Sequence, residues 1–256
     1  GNIDDITISA GSTTGTVSFT PTDDSSYEDD ETATIAITGV SGGGASESGT
    51  QTVTITISEN ESAPTVALSV SASSIAENAG SSLTITATLS GAADEAVTVS
   101  LSTSSTATEG TDYTDGSGNV DDITISAGST TGTVNFTPTD DSVYEGNETA
   151  TIAINGVSGA DATENGTQTV TITITENESA PTITLARSAA SIDENSGSTI
   201  TLTATISGVT DSAVTVALST SGTATEGTDY GTISDITISA GATTGTATLD
   251  PTDDNV

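Results

Sequence analysis

The chain repeats itself at a spacing too long for a solenoid. Residues 2–61 recur almost verbatim as residues 119–178, an offset of 117 (119 − 2), and a third copy starts at Pro181. Solenoid repeats run ~20–50 residues, so this period marks whole domains in tandem. Inside the first two copies lies the same acidic run: Asp23, Asp24, Glu28 and Glu31, then Asp140, Asp141, Glu145 and Glu148. Acids packed this densely without bases imply a metal.

The apolar pattern fixes the element type. In the middle copy, Val66, Leu68 and Val70 alternate with small or polar residues. The same period of two recurs around Leu83–Leu89, Val97 to Leu101, Ile123 and Ile125, Val134 and Phe136, Ala150 to Ile154, and Val170 to Ile174. Alternation with β-branched residues is the strand signature, with one face inward and a threonine face in water. Turn signals divide the runs, among them Ser90-Gly91-Ala92, Asp115-Gly116-Ser117-Gly118, Ala127-Gly128 and Asn165-Gly166. Seven short strands in just over a hundred residues predict an all-β fold, a two-sheet antiparallel sandwich of immunoglobulin-like outline, with no helix. A core of Val, Ile, Leu and Ala, with aromatics at only 2%, is expected to be thin and aided by metal.

The copies divide the chain into residues 1–61 (the back part of one repeat), 62–178 (a complete repeat) and 179–256 (the front part of a third). A window from a longer chain accounts for this, with any export signal elsewhere. Head-to-tail completion between chains is weaker, because both ends carry the same segment. The third copy lacks four residues of the loop 114–122, as a surface loop tolerates. The joints, residues 58–64 and 175–181, are short and hold two acids and a proline, so they read as stiff and metal-tied.

Composition narrows the partners. There are 36 acidic residues, one basic residue (Arg187) and no histidine, for a net charge of −35. Nothing could neutralise phosphates, so nucleic acid is excluded, and anionic membranes are disfavoured. No apolar run reaches the ~18 residues of a membrane span. Without cysteine or histidine, zinc, copper and iron–sulfur sites lose their usual ligands. Oxygen ligands select hard cations such as calcium. Asp141 and Glu148 are separated by six residues that can bring both to one tip, and Glu77, Asp112 and Glu176 also sit at strand ends. A pole where several loops converge could supply the ~6–8 oxygens that calcium takes, which one loop cannot.

Ser74-Ile75-Ala76-Glu77-Asn78, Gly110-Thr111-Asp112-Tyr113 and Thr139-Asp140-Asp141 with Glu145, Glu148 and Glu176 together resemble the Calx-beta domain. The resemblance covers the whole chain. It implies a seven-stranded sandwich that binds calcium through loops at one end, more than one ion per cluster. Carried over position by position, it gives Glu77, Asp112, Asp140, Asp141, Glu145, Glu148 and Glu176 as middle-copy ligands. In the first copy it gives Asp23, Asp24, Glu28, Glu31 and Glu59, and in the third Glu194, Asp229, Asp253 and Asp254. The closing Glu-Asn-Glu departs from the run of aspartates in calcium-sensing members.

Competing readings weigh less. A salt-adapted surface would spread its acids over the strands. Asp4-Asp5 and Asp121-Asp122 precede a strand and read as turn formers. Threonine runs such as Thr169–Thr175 are ordinary solvent faces rather than flat ice-binding ranks. Tyr113 and Tyr230 read as packing caps. Catalysis lacks histidine, tryptophan and a substrate platform. An adhesive tip lacks exposed aromatics. The expectation is therefore a calcium-binding structural repeat of an extracellular bacterial adhesin stalk or surface filament. Its partners are neighbouring repeats, with self-association into a filament as an extension. The alternative is a calcium-sensing regulatory pair, as in sodium–calcium exchangers.

Overall fold

The computed structural model describes residues 3–116 and 118–254. Gly1, Asn2, Ser117 of the predicted turn at 115–118 and the last two residues lie outside them.

All seven strands expected in the middle copy form, and three shorter ones extend the sheets. One five-stranded sheet runs in the order Ile123–Ile125, Val97–Ser105, Glu148–Ser158, Thr169–Thr175, Ser74–Ala76. The other runs Thr163–Glu164, Thr65–Val70, Leu83–Leu89, Thr131–Pro138, Tyr113–Thr114. The main pairs are antiparallel, while Ser74–Ala76 and Thr163–Glu164 add parallel edges.

Register follows the alternation. Ala150 pairs with Ile172 and Ile152 with Val170, and of these Ala150, Ile152 and Ile172 are fully buried. On the other face Thr151 meets Thr171, their hydroxyls 3.3 Å apart. This is the solvent-side threonine ladder of the sequence reading. Val97, Ile123 and Ile125 extend the core along the same sheet, and Val66 and Ile85 close it from the facing one. Tyr113 is 1% exposed and stacks on Phe136 with centroids 4.5 Å apart, as its packing role requires. Gly132 lies so close to the neighbouring strand that a Cβ would sit 2.6 Å from the Thr124 carbonyl oxygen. Asp122 accepts hydrogen bonds from the Leu101 amide (2.9 Å) and the Ser100 hydroxyl (3.0 Å), which locks the turn ahead of Ile123–Ile125.

The outer copies are less complete. In the first, Glu31–Ala36 pairs with Thr52–Ile57, but residues 3–20 form no strand and Ile6 is 56% exposed. The strands that would cover these residues in the middle copy have no counterpart in residues 1–61. The third copy has one three-stranded sheet, one pair of short strands, and a small core of Ala204, Ile206, Ile236 and Ile238. Residues 191–193, which match Ser74–Ala76 of the middle copy, form no strand, and a short 3-10 turn, Glu194–Ser196, follows them. Ser74–Ala76 is held by Thr173, Ile174 and Thr175, and the third copy has no such strand beside it. The all-β expectation holds: among the described residues there is no α-helix, and that three-residue turn is the one helical segment.

The copies touch through two-residue parallel strands. Ser26 and Tyr27 pair with Ala92 and Ala93, and Val143 and Tyr144 pair with Val209 and Thr210. These strands arise inside the acidic loops, where the sequence pattern predicts none.

Candidate metal centre

The acids of the middle copy gather at the end of the sandwich where Glu148–Ser158 begins and Thr169–Thr175 ends. One carboxylate oxygen from each of Glu77, Glu176 and Glu178 lies within 4.8 Å of the others. A second group, Asp112, Glu145 and Glu148, meets the same limit. Glu77 follows Ser74–Ala76, Asp112 precedes Tyr113–Thr114, and Glu176 follows Thr169–Thr175, so the two sheets deliver side chains from separate stretches to one pole.

Hydrogen bonds fix the arrangement. Glu176 Oε2 accepts the backbone N–H of Glu145 at 2.7 Å and of Gly146 at 2.8 Å. Its Oε1 accepts those of Asn177 and Glu178, both at 2.9 Å. Glu77 Oε1 accepts the Asp141 N–H at 3.3 Å. Asp141 Oδ1 caps the Val143 N–H at 2.6 Å, and Asp140 Oδ1 accepts from the Asn177 amide at 3.3 Å. Asp140 and Asp141 are exposed at the rim, whereas Glu77 is 6% exposed.

Proton affinities follow from this crowding. Burial, then Asp112, pushes Glu145 up to about 7. Burial and Asp112 also raise Glu148 to about 7, with Asp211 of the third copy adding to the effect. Glu178 rises to about 7 through its hydrogen bond with Glu176, then burial. Glu77 is raised, chiefly by burial. Burial acts to raise Glu176 too, but the N–H donors from Glu178, Glu145 and Gly146 outweigh it and hold it at about 2. Glu176 is therefore an ionised anchor for the acidic loop and the joint at once.

The first copy repeats the hydrogen-bonded loop, although among the described residues none of its acids falls in a compact group of three. Asp23, Asp24, Glu28, Glu31 and Glu59 line one hollow, together with Glu61. Glu59 accepts from the N–H groups of Glu28, Asn60 (2.7 Å) and Glu61 (2.6 Å), and stands at about 2 with the Glu61 amide as the leading cause. In the third copy, Asp229 Oδ2 accepts from Thr225 N–H at 2.6 Å. Its carbonyl accepts from Thr252 N–H at 2.9 Å, which sets Asp229 beside the segment of Asp253 and Asp254. Glu194 is exposed in its 3-10 turn. Among the described residues, none of these four falls in a compact group of three acids.

Sequence reasoning missed Glu178 and Glu61. Both belong to the Glu-Asn-Glu closing segment, and their repetition in the joint was the available signal. It also missed Asp94 and Asp211, whose charges act on Glu28 and Glu148 of the preceding copy.

The donor set is carboxylate oxygen throughout, from groups whose mutual repulsion a cation would relieve. Glu178 Oε2 is buried with no hydrogen-bond partner, a polar atom that lacks a counterpart. These residues fit a hard divalent cation such as calcium, with Glu77, Glu176 and Glu178 as holders in one group and Asp112, Glu145 and Glu148 in the other.

The Calx-beta domain profile matches residues 59–178 and 176–256. Similar solved structures include an apo-form Calx CBD1 domain, 17% identical, spanning 45% of this chain and 98% of that one, TM-score 0.36. CBD12 from CALX1.2 is 19% identical over 72% of this chain and 73% of that one, TM-score 0.34. The calcium binding domain CBD12 of CALX1.1 is 18% identical over 71% and 73%, TM-score 0.34. At such scores the structural likeness carries no argument, and no curated protein matches the chain. The matched sequence spans well over half of the residues, and on that ground the chain belongs to the Calx-beta domain family, in tandem copies.

Proposed function

We propose that this chain is a calcium-binding structural module of an extracellular bacterial adhesin stalk or surface filament, in which ions at the sandwich poles stiffen the array. The supporting observation is positional. The loop that carries Asp141, Glu145 and Glu148 also carries the strand Val143–Tyr144, which pairs with Val209–Thr210 of the next copy. An ion that orders this loop orders the joint. Near-identical copies, short joints and a charge of −35 suit a solvated strut whose partners are its own neighbouring repeats, with self-association as an extension.

Small-angle scattering of the full chain in chelator and in millimolar calcium tests the reading. The maximum dimension should rise and the interdomain spread narrow with calcium. Superimposable profiles overturn it. Affinity separates strut from sensor: a millimolar Kd supports the stalk, and a micromolar Kd replaces it with an exchanger-type regulatory pair.

A further inference from the structure

The ion pole is one end of the middle sandwich, and the eleven-residue strand Glu148–Ser158 leads away from it to the other. At that far end a second contact joins the copies. Tyr27 leaves the first copy's acidic loop, pairs with Ala93, and packs against the middle copy's core. Its carbonyl accepts the Asp94 N–H at 3.1 Å, and its hydroxyl donates to Asp161 Oδ2 at 2.9 Å.

The receiving turn is built under strain. Gly159 has φ +96, and a Cβ there would lie 2.2 Å from the Ala96 carbonyl oxygen. Ala160 (φ 51) and Asp161 (φ 48) are both left-handed, a region that L side chains avoid. The first copy has Gly43 (φ 60) and Gly44 (φ 69) at the matching positions, so it makes the same turn without strain and without a carboxylate. Two otherwise near-identical copies thus differ at the acceptor for a neighbour's tyrosine. Strain retained at a contact marks a function that the unstrained sequence would not serve.

We infer that the turn at residues 159–162 is a socket for the tyrosine of the preceding repeat, that Tyr27 and Asp161 form a joint latch that closes without calcium, and that the residue at position 161 decides whether a repeat latches its predecessor through the hydroxyl. Asp161 acts as a positioning residue for the joint. Tyr144 repeats the backbone half of the contact by pairing with Thr210. Asp29, Glu95 and Asp161 line one hollow at this contact, and all three are exposed. The latch stands whether or not the ion pole binds calcium.

The chain has no cysteine, so Thr38→Cys and Ala127→Cys give unique spin-label sites on the first and middle copies. Distances between the labels are measured on the full chain in excess chelator. The native chain should give a narrow distribution, and Tyr27→Phe or Asp161→Gly should broaden it at least twofold. Asp161→Gly should leave the melting temperature unchanged or raised, since it relieves the left-handed strain, which separates a lost latch from a damaged sandwich. A native distribution as broad as those of the variants, or variants as narrow as the native chain, overturns the latch. Scattering with calcium reads the pole separately, so either idea can fail alone.

Discussion

Glu176 Oε2 lies 2.7 Å from the backbone nitrogen of Glu145 and accepts its hydrogen bond, tying the strand that closes the sandwich to the loop that carries most of the acids. The same carboxylate also holds Gly146, Asn177 and Glu178. One side chain thus shapes the pole before any ion arrives. Glu59 does the same in the first copy.

Glu176→Ala should therefore act as a structural lesion as well as a ligand loss. Hydrogen bonds to a charged acceptor are worth ~1.5–3 kcal/mol each, less where water competes, so a net loss of about 1–2 kcal/mol is expected in chelator. Outer supports of a metal site typically alter affinity by ~10–100-fold, and calcium binding should weaken by at least about tenfold. Urea unfolding and calorimetric titration check both. An unchanged unfolding midpoint would show that the loop is held by something else.

Asp140→Asn with Asp141→Asn should separate binding from folding. Asparagine keeps the oxygen that caps Val143 N–H, so the turn survives. Calcium affinity should fall by more than about tenfold, while circular dichroism in excess calcium stays native. Global unfolding there would mean that the core depends on these charges.

Without metal, stability should fall as pH rises from about 4.3 to 7. The folded values of Glu145, Glu148 and Glu178 are about 7, above the ordinary carboxylate value of about 4.3. Between those limits the folded chain binds more protons than the unfolded one, so protons stabilise it and their loss removes that help. Glu176, at about 2, works in the opposite sense, and its contribution disappears as pH drops from about 4.3 toward 2. Melting in chelator should therefore peak near pH 4.5–5, and calcium should flatten the fall toward pH 7.5. A melting temperature that climbs from pH 5 to 7.5 in chelator contradicts the assignment.

Ile152→Ala removes a fully buried side chain between the two sheets and should cost about 2–5 kcal/mol in urea unfolding. Gly132→Ala should also destabilise, because the new Cβ would meet backbone 2.6 Å away. An Ile152→Ala cost below about 1 kcal/mol would mean that the middle sandwich is loosely packed.

Period-two alternation was enough to place the strands around Val66, Ile85, Val97, Ile123, Phe136, Ile152 and Ile172, because a strand's inward face is written in adjacent residues. Repetition showed the tandem copies, and the lack of histidine and cysteine beside so many acids left oxygen as the only strong donor a metal site here could use. Tertiary structure decided which acids share a site, since Glu77 and Glu178 are a hundred residues apart in sequence and meet only when both sheets close. It also gave Glu176 its role as an anchor, which depends on backbone N–H groups that no side-chain pattern reveals. The pairing of Tyr27 with Ala93, and its hydroxyl bond to Asp161, are likewise contacts between copies, set by how one folded sandwich meets the next rather than by either local sequence.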